Sequence, residues 1–482
     1  MDKTQEILAI ASKRGLFFPT AELYGGKAGF YTYGHLGKLL KNNFEQLWRD
    51  YFLNLDDNFY EIQSNNILPE KVFIASGHVK NFNEIMRECK KCHSRFKADD
   101  VKSKCMKCGG ELTEGRTFNM MFKVPIGFAG ETGYLSPETA QGAYISFKNE
   151  FQATRNKLPL GLAIIDKAYR NEISPRQKFF RLREFTQAEL QIFFDPANLD
   201  EIDDELWNSI KSYKLIVKRN EKKKEEEISL DEINKKMKIG KFYLHYAAKV
   251  QQFYLDVLKI PKEKFRLREI GEKERAFYNK IHFDIEINLE TFGGFNEIGG
   301  IHYRTDHDLK GHENISKESQ EIFHNNKRFI PHVLELSFGI DRNIWALLDL
   351  FYDNEKKKNE TYVFRFPSQL APFQIAILPL VNKDGIDNLA AKVHNELKKN
   401  FHSTYDDSGS IGRRYARNDE IGTPFCITID GESRKDNSAT IRDRDTTEQF
   451  RVKISELKDT ISKVFKGESL IKFGKKVDTR KM

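Results

Sequence analysis

Glu335-Leu336-Ser337-Phe338-Gly339-Ile340-Asp341-Arg342 is the stretch on which the reading of this chain turns. Glu335-Leu336-Ser337 reads as a strand and Gly339 as a turn. Asp341 to Phe351 reads as a helix whose buried stripe is Ile344, Leu347, Leu348 and Phe351. Arg342 then falls in the first helical turn, where unpaired backbone N–H groups and the helix dipole already favour phosphate. The segment therefore predicts an anion site built where a strand gives way to a helix.

Upstream, Gly161 to Pro196 alternates like two strands around a polar turn. In the second strand Arg181, Arg183, Gln187 and Glu189 share one face, and Leu182, Ala188, Leu190 and Ile192 mostly take the other. The first strand places Arg170 and Glu172 together with Asn171 opposite. Burying so many charges costs more than it stabilises unless something compensates them, and a polyanionic ligand would. Ile281 to Arg304 repeats the strand-rich character around Gly293-Gly294 and Gly299-Gly300, which predicts an antiparallel sheet as the body of an α+β fold. A long helix with one buried face is expected from His35 to Tyr51, because Leu36, Leu39, Leu40, Phe44, Leu47, Trp48 and Tyr51 recur at helical spacing. Phe59-Tyr60-Glu61-Ile62 comes next as a strand that stops near Pro69.

With 482 residues, 39% hydrophobic and 31% charged, the chain has room for several domains and a large core. The excess of 79 Lys+Arg over 71 Asp+Glu, +8, permits a polyanionic partner without requiring one. Met1 to Gly15 lacks the apolar centre of a secretory signal and reads as an amphipathic surface helix. No run approaches the roughly 18 apolar residues of a membrane span, so a cytoplasmic protein is expected. The charged run Lys218 to Lys241 is expected to be a solvated helical insertion, and the lysines near the terminus, Lys472, Lys475 and Lys476, a frayed tail. The polar stretch Asp353 to Asn359 suggests a domain boundary. Beyond it, a strand at Gln374 to Val381, a helix at Gly385 to Lys399 and a strand at Phe425 to Asp430 predict an α/β domain with a partly parallel sheet.

Five cysteines are too few for a disulfide scaffold, and four of them form two close pairs. Cys89-Lys90-Lys91-Cys92 and Cys105-Met106-Lys107-Cys108 have the spacing of a zinc ribbon, with Gly109-Gly110 supplying backbone freedom after the second pair. Structural zinc on four thiolates is expected, with His93 a bystander and Cys426 a core residue.

In this order and spacing, Arg170 to Glu189 and Glu335 to Arg342 resemble motifs two and three of the class II aminoacyl-tRNA synthetases. Tyr169-Arg170-Asn171-Glu172-Ile173-Ser174-Pro175-Arg176 and Arg181 to Glu189 are similar to the homodimeric, archaeal and eukaryal-like glycyl-tRNA synthetase family. So are Ser76-Gly77-His78-Val79-Lys80-Asn81-Phe82, Phe118-Asn119-Met120-Met121-Phe122 and Tyr134 to Gly142. The chain departs from that pattern at Ser136 and Lys97, where the family usually has arginine, and at Leu336, where it has proline.

The resemblance implies a class II antiparallel sheet flanked by helices in a catalytic domain over 1–360. That domain includes a ribbon-like module at 86–112 and the charged insertion at 197–245, and an anticodon-binding α/β domain occupies 361–482. It implies ATP and magnesium as reactants, glycine as the amino acid and tRNA(Gly) as acceptor. Arg170 would meet the α-phosphate and Arg181 and Arg342 the outer phosphates. Glu172 and Leu182 would lie around adenine, Glu297 toward magnesium, and Asn171, Ile298 and Gly339 nearby. Glu138, Glu189, Glu335, Leu336 and Ser337 would form the glycine site. Tyr405 to Tyr415 and Thr440 to Asp445 resemble the anticodon-binding domain. The helix from His35 and the strand ending at Pro69 resemble motif one, which implies a homodimer.

Overall fold

The computed structural model describes residues 2–477 apart from 174, 176–177, 223, 273, 276–277 and 354–361. Ser174 and Arg176 of the hairpin tip, and most of the expected domain boundary at Asp353 to Asn359, thus lie outside the described residues. The chain divides into two compact units, one comprising Met1–Phe18, Thr32–Leu47 and Ala346–Met482, the other Pro19–Tyr31 and Trp48–Trp345.

The second unit is organised by a nine-stranded sheet. Its strands run, edge to edge, Glu226–Ser229, Lys214–Lys218, Phe265–Glu269, Ile281–Leu289, Gly294–Thr305, His332–Gly339, Glu184–Phe194, Leu160–Tyr169 and Phe59–Glu61. All neighbours are antiparallel except two pairs, Lys214–Lys218 with Phe265–Glu269 and Leu160–Tyr169 with Phe59–Glu61. Register in the central strands sets which side chains meet. Glu189 pairs with Ser337 and Ser337 with Gly300, while Gln191 pairs with Glu335 and Glu335 with His302. These two polar rows are two residues apart and therefore share a face. The row between them, Leu190, Leu336 and Ile301, points the other way and is fully buried. On that apolar face the Phe338 ring lies 5.8 Å from Trp48 and 4.8 Å from Phe52. On the polar face, helix Ala140–Ala153 packs Tyr144, Phe147 and Phe151 against Leu160, Leu162, Ile164 and Phe193.

Two expectations for this unit need correction. The hairpin strands end at Tyr169 and begin at Glu184, so Arg170, Asn171, Glu172, Arg181 and Arg183 occupy irregular chain, and strand alternation does not order them. The ladder stops because other partners take its groups. The Asn171 N–H donates to Met120 O (2.6 Å) and the Arg183 N–H to Gly29 O, while the Arg183 guanidinium donates to Glu172 O and Ala28 O. The charged run is also not wholly helical. Glu226–Ser229 adds an edge strand with Ile228 turned inward, and Ser229 caps the short helix Leu230–Met237 by accepting from the Glu232 N–H.

In the first unit a six-stranded sheet runs Ser403–Tyr405, Ile375–Pro379, Phe425–Ile429, Ser438–Asp443, Gln449–Lys453 and Lys475–Lys476. The first three strands are parallel and the rest antiparallel, the partly parallel arrangement expected. Lys475 and Lys476 pair with Arg451 and Phe450 and are therefore not a frayed tail. Helices Ile386–Leu397 and Leu457–Phe465 cover one apolar core. The first helix, Lys3–Arg14, buries Ile7, Ile10 and Ala11. A capping box between Asp2 and Gln5 starts it, and Gly15 at φ 69° stops it. Among the described residues no helix is long and apolar enough to cross a membrane.

Candidate active site

The polar face of the central strands opens into a cavity of about 150 Å³. It gathers Glu138, Arg170, Glu172, Arg181, Leu182, Glu189, Glu297, Ile298, Glu335, Ser337, Gly339 and Arg342, all singled out in the sequence. Asn171 and Leu336 are not among its lining residues. Asn171 is held by its backbone to Met120, and Leu336 faces the apolar side because it sits one residue out of phase with Glu335 and Ser337. Gly299 keeps the strands close, since a Cβ there would meet Ser337 O at 2.4 Å.

At the buried end two glutamates and an aspartate surround one arginine that sequence reading did not select. Arg304 is 2% exposed, donates to both oxygens of Asp308 (2.9 and 3.0 Å) and to Glu335 Oε2 (2.9 Å), and lies 3.6 Å from Glu138 Oε1. Its neighbours Gln141, Asp308 and His302 were missed as well. Gln141 donates to Glu138 Oε1 (2.8 Å) and Asp308 Oδ1 (3.1 Å), and Gln191 donates to Glu335 Oε2 (2.9 Å). The signal available was modest: an arginine at the end of the strand containing Gly299-Gly300, Arg304, and an aspartate four residues on, Asp308.

The same burial drives the glutamates apart in acidity. Burial alone would raise Glu138, but His78 and Arg304 outweigh it and hold the carboxyl well below the usual range. Glu189 has no cation in contact among the described residues. Burial, aided by the negative charges of Glu335 and Glu138, pushes it up to about 8, against the opposing hydrogen bonds from Thr139 Oγ1 (2.7 Å) and Ser337 Oγ (2.9 Å). Glu335 is raised by burial despite Arg304. His302 is driven well below its ordinary value by burial and by the stacked His282, 4.2 Å away.

The other end of the cavity is cationic and more exposed. The Arg170 guanidinium lies between the rings of Phe82 and Phe185, at 5.5 and 5.2 Å, with Nε donating to Pro137 O (3.1 Å). Arg342 donates from Nε to Phe180 O (3.2 Å) and from Nη1 to the Glu297 carboxylate (3.0 Å). Its helix is tied to the sheet by Asp341, whose carboxylate accepts the Thr186 N–H (2.6 Å). Arg181 stands 3.9 Å from Glu172 and 3.7 Å from Asp100. Burial raises Glu172 above the usual carboxylate range, with Arg181 and Arg170 opposing. Ser136 lies outside this cavity, its hydroxyl donating to Asn66 O, and Lys97 pairs with Glu84 at 2.7 Å.

The cysteine pairs converge as their spacing predicts. The four Sγ atoms lie within 4.8 Å of one another, with Cys89 and Cys108 at 3.5 Å and Cys92 and Cys105 at 3.6 Å. A tetrahedral ion with metal–sulfur bonds of about 2.3 Å requires sulfurs about 3.8 Å apart, so the set fits such an ion. The Lys91 and Lys107 N–H groups point at Cys89 and Cys105 Sγ, both at 3.4 Å, and Gly110 is needed because a Cβ there would meet Cys89 Sγ at 3.0 Å. His93 is exposed and pairs with Glu88, and Cys426 is buried in its strand.

An antiparallel sheet carrying two arginine-rich segments beside a buried acidic pocket is the architecture of a class II synthetase. Comparison with known proteins agrees. Residues 126–351 match the tRNA synthetase class II core domain (G, H, P, S and T), and residues 374–464 match an anticodon binding domain. The chain is a class II aminoacyl-tRNA ligase. It is 35% identical to a glycine–tRNA ligase of Thermococcus sibiricus, covering 97% of this chain and 99% of that protein. It is 37% identical to one of Treponema denticola, covering 94% and 95%, and 36% identical to one of Methanocaldococcus jannaschii, covering 96% and 99%. Within its class, then, the chain belongs to the glycine–tRNA ligase family.

Proposed function

We propose that this chain activates glycine with ATP and transfers it to the 3′ end of tRNA(Gly). The observation that carries the reading is the continuity of one cavity from a buried triad of glutamates, Glu138, Glu189 and Glu335, to the half-buried arginines Arg170, Arg181 and Arg342. A substrate that is cationic at one end and meets a triphosphate at the other suits it. In the first step a glycine carboxylate oxygen bonds to the α-phosphorus while the bond from that phosphorus to the bridging oxygen breaks, and pyrophosphate leaves with the electron pair. In the second, the terminal ribose hydroxyl oxygen bonds to the glycyl carbonyl carbon, AMP leaves with the electrons of the C–O bond, and the hydroxyl proton is released.

Both reactants of the first step are anionic, so the enzyme's task is to cancel repulsion and fix an in-line approach, with no protein nucleophile. Arg170 is placed for the α-phosphate and the attacking carboxylate, Arg181 and Arg342 for the outer phosphates, and Glu172, Leu182, Ile298 and Gly339 for the nucleoside side. Glu297 is the exposed carboxylate beside Arg342 that would hold magnesium, whose charge would offset that of the phosphates. Glu138, Glu189 and Ser337 receive the ammonium, and Glu335 supports them through Arg304. A pocket this enclosed rejects larger amino acids by clash.

The catalytic domain is assigned to 1–360, with the ribbon at 86–112 and the insertion at 197–245, and the anticodon-binding domain to 361–482. Zinc is assigned to Cys89, Cys92, Cys105 and Cys108. A cytoplasmic homodimer is proposed, with the helix from His35 and the strand ending at Pro69 at its interface. Gel filtration showing only a 56.3 kDa monomer would overturn the dimer. ATP–pyrophosphate exchange run with each amino acid in turn tests the activity. Exchange with glycine alone is expected; exchange with threonine, proline, serine or histidine, or with none, refutes it.

A further inference from the structure

Ser76-Gly77-His78 has no part in the chemistry above, yet it ends at the most strongly ionised of the three glutamates. Gly77 takes φ 79° and starts the short helix His78–Asn81, which turns the His78 ring into the interior, where the residue is 8% exposed. His78 Nδ1 is 2.7 Å from Ser76 Oγ and Nε2 is 3.6 Å from Glu138 Oε2. A lone pair on Nε2 would repel that carboxylate, so Nε2 carries its proton whichever way the Ser76 hydroxyl is turned. The rings of Phe73 and Phe82 pack edge-to-face with the imidazole, centroids 6.3 and 5.5 Å away, and Phe82 in turn borders Arg170.

Glu138 is therefore held from two sides. Gln141 and Arg304 engage Oε1, and His78 engages Oε2. A freely rotating carboxylate would turn toward Arg304 and satisfy that cation, leaving nothing for an incoming ammonium. The His78 contact prevents that rotation and supports the charge.

We propose that His78, braced by Ser76, is a positioning residue that sets glycine affinity by fixing the rotamer and the ionised state of Glu138. The inference rests on the glycine-site reading above. The test is exchange kinetics on three variants of the full-length protein, with thermal melting alongside. In His78→Gln the amide nitrogen can reach the place of Nε2 and keep a donor toward Glu138, whereas in His78→Asn the shorter amide keeps a partner for Ser76 only. His78→Asn and His78→Ala should raise the KM for glycine about 10-fold or more while the KM for ATP stays within about twofold, the scale of one lost polar contact to a buried carboxylate. His78→Gln should stay within about threefold of the parent. If the Gln and Asn variants behave alike, or the KM values for glycine and ATP rise together, the proposal fails. If the alanine variant does not fold, the Gln and Asn pair decides. Parent protein that shows no glycine-dependent exchange instead overturns the functional reading, so the two failures are distinguishable.

Discussion

Glu189 should release a proton when glycine binds. In the empty pocket its carboxyl sits at about 8 because burial and the charges of Glu335 and Glu138 disfavour the anion, so at neutral pH it is mostly protonated. A glycine ammonium placed against it reverses that balance and favours the carboxylate. The free-energy cost of ionising Glu189 beforehand is about 1.4 kcal/mol for each pH unit below 8. Glycine affinity should accordingly fall about fivefold between pH 8, where half the groups are already ionised, and pH 7, and about tenfold again by pH 6. The free amino acid remains an ammonium throughout that window, so the dependence belongs to the protein. Calorimetric titration with glycine, repeated in buffers of different ionisation enthalpy, counts the protons. Close to one should leave per glycine bound near pH 6.5, and fewer than half near pH 8.5. Glu189→Gln preserves the shape and most hydrogen bonds of the protonated acid, and should bind glycine weakly with no pH dependence over the same range. Affinity that is flat from pH 6 to 8 with no proton released would mean Glu189 is already ionised in the empty pocket, and the electrostatic account of the triad would be wrong.

Replacing Arg304 by methionine strands the buried Glu335 and Asp308 charges and should cost about 3–5 kcal/mol in urea melts at neutral pH. The deficit should shrink at lower pH as Glu335, already raised by burial, protonates, and an unshifted melt would show that Arg304 does not neutralise its acidic neighbours. Arg342→Ala should raise the KM for ATP in the exchange assay about 10- to 100-fold, since a charge-assisted contact is worth roughly 1.5–3 kcal/mol, and leave the KM for glycine nearly unchanged. A larger effect on glycine than on ATP would place Arg342 elsewhere in the reaction. Metal analysis of the purified protein should give about one zinc per chain, and Cys92→Ser should lose the metal and lower the melting temperature. Zinc-free protein that melts like the parent would refute the assignment.

How much was legible in the sequence depended on the range of the signal. Glu335-Leu336-Ser337, the apolar stripe of His35–Phe52 and the two cysteine pairs are local patterns of period two, period 3.6 and fixed spacing, and each formed where expected, although the strand starts three residues earlier, at His332, and includes Gly339 in place of a turn. Arg170 and Arg181 were recognisable as cavity residues, but not their backbone setting. Their strands end because Met120 and Gly29, far away in sequence, capture the backbone N–H groups of Asn171 and Arg183 that a ladder would have used. Leu336 was grouped with its neighbours by adjacency, although strand alternation turns it to the opposite face. Arg304 was missed for a related reason. One arginine in a strand reads as a solvated edge until Glu335 and Glu138, brought from distant segments, enclose it. The edge strand Glu226–Ser229 was hidden by composition, since three of its four residues are polar or charged and only Ile228 turns inward.

The single guanidinium of Arg304 makes its acidic neighbours interdependent. Replacing Glu138 or Glu335 alone removes one substrate-facing carboxylate and also leaves an arginine with surplus charge in a site that water cannot relieve. The cost of a second replacement then depends on the first. Altering which amino acid this pocket accepts is therefore a concerted problem. A single substitution leaves a buried charge uncompensated, whereas changing the arginine and its acids together keeps the charges balanced.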